Sequence, residues 1–250
     1  DKRLDNIFAS ICASDEHPNE EQRKFLEHFL RRLKLEVLEQ QQDRVNQCEK
    51  EPLLDLVHGY PGTGKSRLIQ WMRTLMEDGL GWVHGIQFIC LAFQNAMAAH
   101  INGYTIHHWS GIPTRPKHGK NTGDRRKQSI KCQALRVVIL DEISMDSVEL
   151  LGALEYVIRK ATRVNGTYKK RGDGTTRAFG GANVVMCGDF WQFRPVKGTW
   201  LYSDPDEIEA GLGKDSMRLF WNEGVDTIRT GWILTQLVRC RDVWYNSFLQ

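Results

Sequence analysis

The sequence predicts an α/β fold, a parallel β-sheet flanked by helices. Three observations predict it. Short apolar runs at 53–58, 86–93, 136–140, 182–187 and 231–234 alternate with stretches of helical periodicity. Those runs are apolar throughout rather than at every second residue, as in strands buried on both faces. The first run leads into Gly59-Tyr60-Pro61-Gly62-Thr63-Gly64-Lys65-Ser66, a G-x-x-x-x-G-K-S loop with a strand before it and a helix after it. At 250 residues the chain fits one large domain with an insertion. Its 41% hydrophobic and 26% charged residues exclude a disordered chain.

Taken in order, residues 1–18 show no clear period and read as an N-terminal segment outside the domain, which runs from 19 to 250. Asn19 is a good N-cap, and Glu20 and Glu21 suit a first helical turn. Phe25, Phe29, Leu30, Leu33, Val37 and Leu38 then recur at helical spacing. Residues 40–51 are polar and read as a helix end and connector. After the loop, Leu68, Ile69, Met72, Leu75 and Met76 mark one face of a helix over 66–76. Residues 96–101 read as a short helix, and 147–161 as a longer one with Leu150, Leu151, Leu154, Val157 and Ile158 facing inward. Two basic loops, 111–132 and 163–180, interrupt the alternation.

The loop carries phosphate chemistry. Its glycines let successive N–H groups turn toward phosphate oxygens, and the helix N-terminus adds positive partial charge. Lys65 would reach the β- and γ-phosphates and the Ser66 hydroxyl would ligate Mg²⁺; Arg67 closes the set of nucleotide-contacting candidates. The run Val137-Val138-Ile139-Leu140 ends in Asp141-Glu142. A carboxylate pair at a strand's C-terminal end is expected beside the phosphate loop, with Asp141 holding Mg²⁺ and Glu142 activating water. Gly188-Asp189-Phe190-Trp191-Gln192 follows another strand. Gln192 is the candidate γ-phosphate contact, and Asp189 a supporting or structural acid.

Net charge is +3, but its distribution is uneven. Residues 111–132 hold seven Lys/Arg against one Asp, and residues 163–177 hold five against one, leaving the rest of the chain at −7. Two basic loops on an acidic body suggest a polyanion partner, although solvated loops would look the same. No apolar run of eighteen residues and no signal-peptide core are present, so no membrane partner is expected. Six scattered cysteines without a C-x-x-C pair disfavour disulfides and zinc and point to a reducing compartment. An intracellular location is expected, nuclear or mitochondrial in a eukaryote.

Five strings carry a family resemblance: GYPGTGKS (59–66), AAHINGYTIHHWSGI (98–112), VVILDEISMDS (137–147), FGGANVVMCGDFWQFRPV (179–196) and LTQLVRCRD (234–242). From about Asn19 onward the chain resembles the first motor lobe of PIF-type superfamily 1 DNA helicases, including those of Helitron transposons. The resemblance implies a RecA-like P-loop NTPase lobe that uses ATP and Mg²⁺ to move 5′-to-3′ on single-stranded DNA and open duplex junctions. It implies that Gln22 reads the adenine edge and that Arg239 touches the γ-phosphate as an arginine finger. Thr105, Ile106 and His107 match a segment that meets DNA, and contacts there would position rather than specify. His107 and His108 also read as capped core histidines, and Trp109 and Trp191 as core residues or base-stacking rings. The insertion at 111–132 falls where the family carries a small domain beside the DNA, so Arg115, Lys117, Arg125, Arg126 and Lys127 are candidate phosphate contacts.

Three departures stand out. Phe93-Gln94-Asn95-Ala96 replaces the family's Ala-Pro-Thr-Gly, leaving Asn95 as the substitute DNA contact. Arg194 stands where a Pro is usual, and Cys240 replaces the Gln after Arg239, with Arg241 able to compensate. A second RecA-like lobe should complete the ATP site. Residues 243–250 read as a helix in progress, so a first-lobe fragment of a longer, monomeric protein is expected, one that binds nucleotide without unwinding DNA by itself. The alternatives are another DNA-dependent P-loop ATPase, such as an AAA+ or transposition motor, and a nucleotide- and DNA-binding module without turnover.

Overall fold

The computed structural model describes residues 2–41, 50–114, 125–164, 170–192, 195, 197–221 and 224–238. Six strands form one all-parallel sheet: β1 (Leu54–Gly59), β2 (Phe88–Ala92), β3 (Tyr104–Thr105), β4 (Val137–Asp141), β5 (Asn183–Gly188) and β6 (Thr230–Leu234), in the order β3-β2-β4-β5-β1-β6. Successive residues of β4 face opposite sides: Val137 and Ile139 enter one apolar core, Val138 and Leu140 the other. Both faces are therefore covered, as the unbroken apolar runs require.

The first core is roofed by α1 (Lys2–Ala13), α2 (Glu20–Gln41) and α3 (Lys65–Thr74), the last continuing into a π-helical turn, Leu75–Gly79. Helix α1 corrects the reading of residues 1–18 as unpatterned. Leu4 and Ile11 are buried and Ile7 and Phe8 pack beside them, a helical stripe of only four residues among charges. A Cβ on Gly79 would meet Leu4 Cδ2 at 2.7 Å, so this helix is part of the domain core.

Helix α2 opens with a reciprocal cap: Gln22 N–H donates to Asn19 Oδ1 at 2.9 Å, and Asn19 N–H to Gln22 Oε1 at 3.0 Å. Its inner face is Phe25, Leu26, Phe29, Leu30 and Leu33; Leu38, expected to face inward, is 43% exposed. Midway, Asp55 on β1 accepts from Trp232 Nε1 of β6 at 3.2 Å and lies 2.9 Å from His28 Nε2, tying α2 to two strands.

The opposite core is covered by α7 (Val148–Val164), with Leu150, Leu151, Leu154 and Ile158 buried, and by α8 (Leu212–Trp221), which the sequence reading did not anticipate. The short elements α4 (Asn95–His100) and α5 (Ile106–Ser110) follow β2 and β3. Within the supposed basic loop lies α6 (Arg125–Lys131), a helix held by Gln128 Nε2 on the Ser110 carbonyl and by Lys131 Nζ on the Trp109 carbonyl at 2.9 Å.

Among the described side chains, the arginines of the second basic stretch are paired within the protein. Arg171 pairs with Glu51 at 2.7 Å and Asp226 at 2.6 Å, and buried Arg177 and exposed Arg229 also reach Glu51. Glu51 and Asp226 precede β1 and β6, so this cluster sits at the N-terminal edge of the sheet.

Candidate nucleotide and nucleic-acid site

Most residues singled out in the sequence and described by the structure lie at the C-terminal ends of parallel strands, the usual ligand edge of such sheets; Gln22 enters from α2, and Arg126 and Lys127 sit on α6. Across that edge lie Thr105 at the end of β3, Asn95 after β2, Asp141-Glu142 at the end of β4, Gln192 after β5 and the phosphate loop at the end of β1.

The loop is built by glycine. Gly62 and Gly64 sit at φ 87° and 85°, in the left-handed region that side chains avoid. Gly64 has a second reason to be glycine: a Cβ there would lie 2.5 Å from Gln22 Nε2 and 3.0 Å from Val238 Cγ2. No side chain caps α3, so its first N–H groups are left without a capping acceptor at the loop, the arrangement that suits an anion. Buried Lys65 donates to the Gly59 carbonyl at 2.5 Å and to the Tyr60 carbonyl at 3.3 Å. Thr63 Oγ1 donates to the Tyr60 carbonyl at 2.8 Å, bracing the loop from within, while Ser66 is exposed at the helix start.

The acid pair is one strand farther away than its motif suggests. Strand β5 lies between β4 and β1, so two strand spacings, about 10 Å, separate the acid strand from the loop strand. That spacing leaves room for phosphate and a cation, and it puts Gln192 in the turn after the strand between them. Buried Asp141 is pushed up to about 7 by burial and then by the adjacent Glu142, with Lys65 pulling the other way. Glu142 is also raised, by burial first and then by Asp189, against the pull of Lys65. Glu142 adopts φ 54°, ψ 45°, and a Cβ on Gly188 would meet Ile143 Cγ2 at 2.8 Å, so the acidic turn is strained and closely backed. Asp189 is buried; its Oδ1 accepts from Trp191 N–H at 3.0 Å, which makes it a structural acid that shapes the turn carrying Gln192. Glu142 Oε2 and Asp189 Oδ2 are buried acceptors without a protein donor.

Two nucleotide-side residues are engaged differently from the expectation. Gln22 is 1% exposed, with Nε2 donating to the Thr63 carbonyl at 2.9 Å and Oε1 held by Asn19; here it struts the loop instead of presenting a free amide to a base. Arg67 turns away to pair with Glu16 and lies over Trp71 at 5.5 Å. Glu21, not anticipated as a site residue, accepts from Thr235 N–H at 2.8 Å, Thr235 Oγ1–H at 2.6 Å and Gln236 N–H at 3.3 Å. Burial pushes its carboxyl up, but the Thr235 and Gln236 donors outweigh that and hold it below the ordinary value. Its sequence signals were its place in a first helical turn and beside Gln22, in a string that resembles the family's adenine-reading motif.

On the other flank, Asn95 is exposed at the start of α4. Thr105 caps α5 by accepting from His108 N–H at 3.2 Å. His107 is half-buried, with Nδ1 3.0 Å from the Ile112 carbonyl. Exposed His108 stacks on Tyr104 at 5.9 Å, which stacks on His84 at 5.4 Å. Trp109 is core, whereas Trp191 is 78% exposed. Arg126 and Lys127 are exposed on α6. Arg115, Lys117, Arg194, Arg239, Cys240, Arg241 and the helix expected over 243–250 lie outside the described residues, as does the side chain of Arg125.

The PIF1-like helicase family model matches residues 32–228. The chain belongs to the PIF1-like helicase family. It is similar to the ATP-dependent DNA helicase PIF1 of Saccharomyces cerevisiae, 30% identical over 67% of this chain and 17% of that protein. It is also similar to the S. cerevisiae ATP-dependent DNA helicase RRM3, 34% identical over 64% of this chain and 21% of that protein. The chain thus spans about a fifth of the curated relatives it matches. Among solved structures, Candida albicans Pif1 helicase aligns over 88% of this chain and 40% of its own, with TM-score 0.58 and 22% identity. Bacteroides Pif1 bound to single-stranded DNA aligns over 93% and 45%, with TM-score 0.55 and 20% identity. These likenesses establish the RecA-like lobe expected from the motifs, and the PIF1-like lobe here carries its loop, acids and Gln192 in that fold's ligand edge.

Proposed function

We propose that this PIF1-like chain is the nucleotide-binding motor lobe of an ATP-dependent DNA helicase that moves 5′-to-3′ along single-stranded DNA and opens duplex junctions. One observation carries the reading. A phosphate loop with Lys65 at its centre and the Asp141-Glu142 pair share one sheet edge with Asn95 and Thr105, so nucleotide chemistry and a strand path adjoin. Relatives support it: one neighbouring Pif1 structure is a complex with ADP-AlF3 and single-stranded DNA, and another concerns unwinding of forked duplex DNA.

Lys65 would exchange the Gly59 and Tyr60 carbonyls for β- and γ-phosphate oxygens and offset the charge there. The α3 N-terminus and loop N–H groups add donors that need no reorganisation. Glu142 accepts the proton of the attacking water, and its raised affinity for protons suits a general base. Gln192, in the turn after β5, the strand between loop and acids, would orient that water. Arg239 would complete the γ-phosphate contacts.

The residues fit Mg²⁺. Asp141 is a buried carboxyl crowded by Glu142, and a cation would keep it ionised. Ser66 and Asp141 would hold Mg²⁺, which would supply positive charge beside the phosphates. A second RecA-like lobe in the remainder of the protein would close the site. ATPase of the full-length protein, stimulated by single-stranded DNA but not by protein and abolished by Lys65→Ala, tests this reading. DNA-independent turnover would contradict it.

A further inference from the structure

Strand β3 is an outer edge of the sheet, and a row of rings runs from the core to the surface beside it. Buried Phe88 of β2 lies 5.2 Å from the His84 ring. His84 stacks on Tyr104 at 5.4 Å with planes 7° apart, and Tyr104 stacks on His108 of α5 at 5.9 Å and 26°. The row is braced at both ends. His84 Nε2 accepts from Cys90 N–H at 3.0 Å, and His108 N–H donates to Thr105 Oγ1 at 3.2 Å. Gly103, just ahead of Tyr104, lies so close to the Cys90 carbonyl that a methyl group would not fit, which fixes the backbone that carries the ring. Yet the outer two rings face solvent: Tyr104 is 42% exposed, and His108 is exposed. Helix α6 is tied to α5 through the Ser110 and Trp109 carbonyls, which brings the exposed Arg126 and Lys127 to the same flank. Flat rings beside a hydroxyl and cations combine the two elements of a single-strand site, stacking for bases and polar groups for the backbone.

We propose that Tyr104 and His108 form a base-stacking platform that makes this flank prefer unpaired DNA to duplex. The proposal rests on the helicase reading above and deepens it. In a duplex, both faces of a base are covered by its neighbours. In a single strand a face is free, so a ring platform discriminates where phosphate contacts alone cannot. The platform adds little sequence preference, because every base has a π-face.

The test uses the full-length protein and compares wild type, Tyr104→Leu, Tyr104→Phe and His108→Ala. Fluorescence anisotropy measures binding of labelled oligothymidine, an abasic strand of the same length and a blunt duplex; ADP affinity reports on the fold. Tyr104→Leu and His108→Ala should each weaken oligothymidine binding about five- to tenfold. Binding of the abasic strand and of the duplex should change less than about twofold. Tyr104→Phe keeps the ring and should match wild type. The dependence of affinity on salt should be unchanged in every variant, because no phosphate contact is lost. If Tyr104→Leu fails to fold, His108→Ala carries the comparison, since its ring is exposed. Equal losses on oligothymidine and on the abasic strand, or unchanged binding in the folded variants, would overturn the platform alone. A wild type that binds no single-stranded DNA would overturn the helicase reading instead.

Discussion

The two flanks of the sheet are built on different terms. On the β4-β5-β1-β6 flank, the backbone itself fixes the functional groups. Gly62 and Gly64 sit at positive φ, Glu142 is held at φ 54°, and Gly188 leaves no room behind Ile143. On the β2-β3 flank, the candidate DNA contacts are side chains with local duties: Thr105 caps α5, His107 approaches a carbonyl, and β3 is two residues long. About three strand spacings, roughly 14 Å, separate β2 from β1. A phosphate needs groups placed before it arrives, whereas a strand that must be released and regripped is better met by side chains at an edge.

The largest expected effect lies on the first flank. Glu142→Gln should lower kcat by about 10²- to 10⁴-fold with nucleotide binding retained, read by steady-state ATPase and by titration with a fluorescent nucleotide. Gly103→Ala attacks the second flank. Its Cβ would lie 2.3 Å from the Cys90 carbonyl oxygen, so β3 must pull away from β2. We expect a loss of about 1–3 kcal/mol in urea unfolding and weaker binding of single-stranded DNA, with ADP affinity unchanged. A matching loss of ADP affinity would show that the flanks are not separable.

Smaller effects sharpen the edge strand. Thr105→Ala should cost about 1 kcal/mol through loss of the α5 cap, and Thr105→Ser should restore it. If DNA affinity falls in the Ala variant and recovers in Ser, the hydroxyl serves both duties. His84, under Tyr104, accepts from Cys90 N–H at 3.0 Å, and burial, aided by Arg73, lowers its pKa to about 4. Its folded pKa lies below the unfolded value of 6.5, so its contribution is complete above pH 6.5 and fades as pH falls toward 4. After allowing for solvent screening, that is on the order of 1 kcal/mol, measurable as an acid-dependent urea midpoint that His84→Gln lacks.

Much of the first flank was legible in the sequence because its signals are local. Strand, glycine loop, Lys65 and helix are contiguous, and Asp141-Glu142 ends an unmistakable apolar run. What was not legible depends on contacts between distant positions. No spacing rule places β5 between β4 and β1, and none joins Glu21 to Thr235. Counting charge left the 163–177 stretch open to a polyanion or to solvent, but Arg171 and Arg177 find partners in Glu51, and Arg171 also in Asp226. Helix α1 escaped notice because four apolar residues are a thin stripe, and α6 because its composition reads as charge before it reads as helix. Gln22 matched its motif in sequence, yet its amide is spent on Asn19 and Thr63.

The central claim is that nucleotide turnover on one flank answers to a DNA strand on the other. The most direct measurement is the ATPase rate of the full-length protein with and without single-stranded DNA, for wild type and Glu142→Gln side by side. The account predicts at least about tenfold stimulation of the wild type by DNA, and a Glu142→Gln variant that binds ATP but turns over at under about 1% of that rate. A wild-type rate indifferent to DNA, or turnover that survives Glu142→Gln, would contradict it.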